Sequence, residues 1–124
     1  MMAAVRTARE VVELYNLVVW NERNLELAEE LLGDTVIRHE SGGAHALTHA
    51  EAVQRVADMW RLCDSLRFDL NIVVADDEHV AIVYDSAITA DGAETNVASI
   101  EVFRVLDGRI TEVWNCGYQQ GVWG

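Results

Sequence analysis

Proline is absent from the 124 residues, cysteine occurs twice, and basic side chains are scarce, nine Lys and Arg against 21 Asp and Glu. Each shortage excludes something. Cys63 and Cys116 are too few for a disulfide framework and lack metal-ligand spacing, so they read as small apolar residues in a reducing compartment. A formal charge of −12 repels phosphate backbones and anionic lipids, which are bound through Lys and Arg. Neither nucleic acid nor a membrane is therefore an expected partner. The same balance points to a neutral, apolar or weakly charged ligand held in a pocket. The longest apolar runs, such as Leu17-Val18-Val19-Trp20 and Ile72-Val73-Val74-Ala75, are far too short to span a bilayer. No basic-then-apolar leader opens the chain, so a soluble cytoplasmic protein is expected. A Gly-rich phosphate loop and a serine-elbow pattern are also missing. Without a linker, repeat or low-complexity tract, residues 1–124 read as one domain, long enough to bury about two-thirds of its unfolded surface.

What is present is strong patterning. Thr7-Ala8-Arg9-Glu10 is a capping box, and Val11, Leu14, Tyr15, Val18 and Val19 follow at helical spacing, predicting a helix to about Trp20. Asn24 caps a second helix with a Leu25, Ala28, Leu31, Leu32 stripe, and Gly33 is its expected left-handed stop. Thr35 to Glu40 reads as a short strand ended by Ser41-Gly42-Gly43. A second capping box, Thr48-His49-Ala50-Glu51, opens a helix striped with Val53, Val56, Ala57, Trp60 and Cys63. The period then changes to two. Leu66–Val74 alternates with Phe68, Leu70, Ile72 and Val74 on one face; strands over Val80–Thr89, Glu94–Leu106 and Arg109–Cys116 follow, joined at Asp91-Gly92 and Asp107-Gly108. Helices first and an antiparallel meander afterwards predict an α+β fold with helices on one face of the sheet. Neither face of the later strands is wholly polar, so the outer face is expected to pack on a second subunit as a homodimer.

Several residues can carry chemistry. Glu101 shares a strand face with Val97, Phe103 and Val105, where desolvation raises a carboxyl's pKa and keeps it protonated as a donor; a strand-edge Glu paired with an Arg is the other reading. His39, where the first strand meets a Gly-rich loop, carries a side-chain type suited to a general base or acid, or is an ordinary half-exposed histidine. Tyr15 lies on the apolar face of helix one, as an oxyanion donor or a core tyrosine. Asn115 shares a face with Val113 and can orient a ligand or bond to backbone. Tyr84, Ser86 and Ile88 on one strand face, Phe103 beside Glu101, and Trp60 on its helix stripe complete the expected lining. His45 and His49 straddle a helix start, and with His39 and Glu40 they lack any recognised metal spacing. No metal and no cofactor is expected.

The segments Leu14-Tyr15, Trp20-Asn21-Glu22-Arg23-Asn24-Leu25, Glu30-Leu31-Leu32-Gly33-Asp34 and Val36-Ile37-Arg38-His39 together resemble the opening of SnoaL-like proteins. Ile100-Glu101-Val102-Phe103-Arg104-Val105 and Asp107-Gly108-Arg109-Ile110-Thr111-Glu112-Val113-Trp114 resemble their last hairpin. These proteins belong to the wider superfamily of ketosteroid isomerase and nuclear transport factor 2. The resemblance implies a cone: a strongly bent, mostly antiparallel sheet with about three N-terminal helices on its concave side and a pocket at the wide end. Aligned with ketosteroid isomerases, the helix-one tyrosine falls near Tyr15, the base on His39 and the second oxyanion donor on Glu101. Histidine in place of a carboxylate base and Glu in place of Asp put steroid isomerisation itself in doubt. An epoxide-hydrolase Asp-Arg-Asp set is not matched, since Arg104 faces away from Glu101. The expected activity is cofactor-free acid/base chemistry on an apolar carbonyl compound through an enolate: isomerisation, aldol cyclisation or dehydration. The alternatives are a non-catalytic binder of a small hydrophobic ligand and a dimerisation module.

Overall fold

Thr7 opens the first helix through the reciprocal pair the sequence predicts: its hydroxyl accepts from Glu10 N at 3.1 Å, and Glu10 Oε1 accepts from Thr7 N at 3.0 Å. The computed structural model describes residues 5–124. Helix α1 (Ala8–Leu14) buries Ala8, Val11 and Val12. It then widens into a π-helical turn, Tyr15–Trp20, rather than continuing as the uniform helix expected. Such turns are rare and recur at functional sites. Here the wider winding turns Tyr15, Asn16, Val19 and Trp20 all to the buried side. The Asn16 amide donates to the Val12 carbonyl at 2.8 Å, which satisfies a polar group that burial would otherwise make costly. Asn24 caps α2 (Leu25–Leu31) by accepting from Leu27 N at 3.0 Å.

The chain passes straight from α2 into β1 (Leu32–Glu40). Gly33 does not make the left-handed stop expected of it. It lies in β1, where a Cβ would stand 2.9 Å from the Ile110 carbonyl oxygen, so glycine is required by close approach to a neighbouring strand. After β1 comes β2 (Gly43–Thr48), a strand not expected from the sequence, then α3 (His49–Arg61), again opened by a capping box at Thr48 and Glu51. Four strands follow as the predicted meander: β3 (Ser65–Ala75), β4 (His79–Ala90), β5 (Ala93–Leu106) and β6 (Arg109–Asn115). Asp91-Gly92 and Asp107-Gly108 take positive φ at both turn residues (51° and 79°, 51° and 75°), as two-residue hairpin loops require. A short β7 (Gln119–Gln120) extends the sheet beside β5.

The strand order is β2-β1-β6-β5-β4-β3, with β1 parallel to β6 and every other pair antiparallel. Three helices on a curved, mostly antiparallel sheet make the α+β architecture that the patterning predicts. The first helix packs on β3 to β6 and α3 on β1 and β2. Between them lie Val11, Val19, Leu31, Val56, Ile82, Phe103 and Ile110, all essentially sealed from solvent. One alternation differs from expectation. A β-bulge between Leu70 and Ile72 shifts the register of β3 against β4. Phe68, Leu70 and Val73 therefore pack on the core while Ile72 and Val74 turn outward, 54% and 63% exposed.

Candidate active site

Glu101 stands in the middle of β5, opposite Ile82 on β4 and Asn115 on β6. It is 8% exposed, and the Tyr84 hydroxyl donates to its Oε1 at 3.1 Å. Burial raises its pKa above the usual carboxylate value. The Arg38 guanidinium, the Tyr84 hydrogen bond, the Arg55 guanidinium and Asn115 pull it back down. An acid held between a desolvating wall and several polar partners can take up or release a proton as its surroundings change. The Tyr84 hydroxyl is itself pushed far up by burial and by the Glu101 charge, so it remains a donor throughout the ordinary pH range.

In front of Glu101 lies a cavity of about 170 Å³. The π turn supplies Tyr15, Asn16 and Trp20; α3 supplies Arg55 and Met59; β1 supplies Arg38. The apolar floor is Leu66 and Phe68 of β3, Ile88 of β4 and Val97 of β5, with Ser86 beside them. Glu101 is the single carboxyl among these lining residues. Past Arg38, Arg55 and Tyr118 the cavity continues into a polar mouth of about 350 Å³, edged by Glu40, Ser41, Asn115, Cys116 and Gly117. The Tyr15 hydroxyl is buried, and burial raises its pKa against the opposing influence of Arg55 and Arg38. Phe103 packs edge-on against the Tyr15 ring at 6.1 Å and fixes its direction.

The structure brings Tyr15 and Glu101 to one cavity and sends His39 elsewhere. In β1 the buried Val36 sets the inward parity, so Arg38 faces the cavity and His39 the outside. The His39 Nε2 meets Glu112 Oε2 at 2.7 Å, and its ring stacks on Trp114 at 4.9 Å and 5°. Glu112 is shared with Arg104 at 3.1 Å, and these partners hold its carboxyl below its usual value. His39 therefore belongs to a polar cluster with Glu112 and Arg104 on the outer sheet face, away from the candidate site.

Of the expected lining, Ser86 and Ile88 face the cavity directly. Tyr84 stands behind Glu101 and reaches the cavity only through its hydrogen bond to that carboxyl. Phe103 is behind Tyr15, and Val113 borders a narrow crevice beneath Tyr15 and Arg38. Trp60 is displaced from the lining by Trp20, against which it packs edge-on at 6.2 Å. Asn115 edges the mouth, where its amide donates to Ser99 Oγ at 3.1 Å and its Oδ1 accepts from Gly117 N at 2.6 Å. Those bonds anchor the C-terminal segment that presents Tyr118. No cluster of three or more His, Cys, Asp and Glu is arranged to hold a metal among the described residues; His49 Nδ1 instead donates to the Leu32 carbonyl at 3.1 Å.

Arg38, Arg55, Asn16 and Tyr118 are site residues that the sequence reading missed. Arg38 was accessible from parity, being two residues from Val36. Arg55 stands three residues after Ala52 and four before Met59, one helical stripe. Asn16 depends on the π turn and Tyr118 on the path of the tail, and neither leaves a local signal.

Solved structures with this architecture include a SnoaL-like polyketide cyclase from Agrobacterium tumefaciens, 15% identical, covering 92% of each chain at a TM-score of 0.76. An LEH-like epoxide hydrolase from M. tuberculosis is 18% identical over 90% of this chain and 82% of its own, at 0.77. A protein with a ketosteroid isomerase-like fold from Catenulispora acidiphila, in complex with trimethylamine, is 14% identical over 90% and 87%, at 0.73. At such identities the likeness establishes the fold alone. No curated protein matches the chain. The model of the SnoaL-like domain matches residues 11–113, and the chain belongs to that family.

Proposed function

We propose that the pocket binds an apolar carbonyl compound and that Glu101, in place of His39, moves the proton. The observation that carries this reading is a single buried carboxyl, hydrogen-bonded from behind by Tyr84, at the wall of a mostly apolar cavity that Tyr15 also lines. Burial makes the Glu101 carboxylate a stronger base than an exposed one. It takes a proton from the carbon beside the substrate carbonyl, and the electron pair moves onto oxygen. The Tyr15 hydroxyl donates to that oxygen; aimed donors in a dry site stabilise developing charge more than water does. The resulting enolate is reprotonated by Glu101 at another carbon, attacks a second carbonyl, or expels a β-hydroxyl. These outcomes are isomerisation, aldol cyclisation and dehydration, and none needs a cofactor. Polyketide cyclases and an epoxide hydrolase among the structural neighbours are consistent with catalysis on this fold.

The test is exchange of the α-hydrogens of a simple aryl ketone with solvent deuterium, followed by NMR. Wild-type protein should accelerate the exchange. Glu101→Gln should lose the acceleration by about a hundredfold or more, and Tyr15→Phe by a smaller factor, whereas His39→Ala should retain it. Full exchange activity in folded Glu101→Gln would remove Glu101 from the mechanism. Ligand binding with no exchange in wild type would leave a binding module. A homodimer through the outer sheet face belongs to the same proposal, supported by the side chains exposed there.

A further inference from the structure

All nine basic residues of the chain are arginines, and their partners separate them into two groups. Arg6, Arg9, Arg61, Arg67, Arg104 and Arg109 each have a carboxylate within 4.0 Å, and Arg23 donates to the Asp64 carbonyl. Arg38 and Arg55 have no such partner among the described residues, although acids outnumber bases 21 to nine. These two come from different elements, β1 and α3, and both line the inner cavity and the mouth. Glu101, the nearest buried carboxyl, is engaged by Tyr84 and does not form an ion pair with either. Glu40 edges the mouth but is exposed. Two guanidiniums with no carboxylate within ion-pair distance among the described residues, sensed by Glu101 only at longer range, stand together at the neck of a pocket in a protein of charge −12.

We propose that Arg38 and Arg55 hold a carboxylate of the ligand, so that the substrate is an amphiphilic monocarboxylic acid. Its acid group sits at the neck and its apolar body in the inner cavity. This rests on the pocket reading above and names its substrate class. Guanidinium forks bind planar carboxylates by paired charge-assisted hydrogen bonds. The overall negative field of the protein favours a monoanion over a phosphate dianion. The inner cavity of about 170 Å³ is near the roughly 150 Å³ that accepts a benzene ring in an engineered apolar site, so the body is about one ring in size. Among the neutral, apolar or weakly charged ligands expected from the bulk charge, the local charge favours a weakly charged one.

Titration calorimetry with phenylbutyrate, its primary amide and phenylbutyl phosphate tests the assignment. The carboxylate should bind wild-type protein at least about tenfold tighter than the amide, the difference a hydrogen-bonded charge supplies. Arg38→Gln and Arg55→Gln should each erase most of that preference, weakening the acid far more than the amide. Equal affinity for acid and amide in wild type would overturn the carboxylate site while leaving the pocket reading intact. Preference for the phosphate ester would overturn the monocarboxylate class. Failure of all three to bind would overturn this proposal and the pocket reading together. The wild-type comparison needs no variant, so misfolding of an Arg substitution does not decide the result.

Discussion

Glu101 shows how one side chain can be costly to the fold and useful to the site. A carboxyl buried in β5 ionises less readily there than in water, because its charge loses hydration that Arg38, Tyr84 and Asn115 only partly replace. Its pKa is raised on folding from the ordinary 4.5. A raised acid contributes stability that is fully present below the unfolded pKa and lost as pH rises through the folded one. Glu101→Gln, which cannot ionise, should therefore gain thermal stability over wild type progressively as pH rises above about 4.5. A melting difference that stays constant with pH, or narrows as pH rises, would contradict this. Glu112 has the opposite sign: His39 and Arg104 hold its pKa down, so its contribution is present above the unfolded value and is lost on acidification. The sequence made Glu101 legible because a carboxyl among Val97, Phe103 and Val105 breaks a pattern. It made His39 attractive for its chemistry and for its alignment with the base of ketosteroid isomerases, although its neighbour Arg38 has the inward parity.

At the scale of elements, periodicity and caps located α1, α2, α3 and the meander, since both capping boxes and both Asp-Gly turns are local devices. What stayed hidden depends on partners distant in sequence. Gly33 is required by Ile110 across a parallel pairing. The strand β2 is short and largely exposed, with little apolar alternation to reveal it. The π turn alters which side chains point inward without altering composition. The β3 bulge has the largest consequence, because one extra residue reverses every later side chain. Ile72 and Val74 thereby join the outer face, and Ile72 pairs with Val83, which pairs with Ile100. If a second copy packs there, Ile100→Arg should shift the sedimentation profile from dimer to monomer, because an arginine buried without a partner is costly. An unchanged profile would place the interface elsewhere.

Across the whole molecule, function separates from bulk composition. A charge of −12 and an apolar-rich sequence predict a partner that is not a polyanion, yet the pocket neck carries two arginines without carboxylate partners among the described residues. The sheet's two faces divide the acid/base residues. Tyr15 and Glu101 are gathered under the helices with Arg38 and Arg55, while His39, Glu112 and Arg104 cluster outside. Family membership fixes the architecture and leaves the reaction to the residues in the cavity. The reaction proposed for that cavity turns on one carboxyl changing its protonation state inside it. The decisive measurement is the titration of Glu101 itself, followed by carbon NMR of carboxyl-labelled glutamate and assigned through Glu101→Gln. It should titrate above the ordinary 4.5 and move higher still in Tyr84→Phe, which removes a bond that favours the charged form. Titration at or below 4.5, or no response to the loss of Tyr84, would contradict the account.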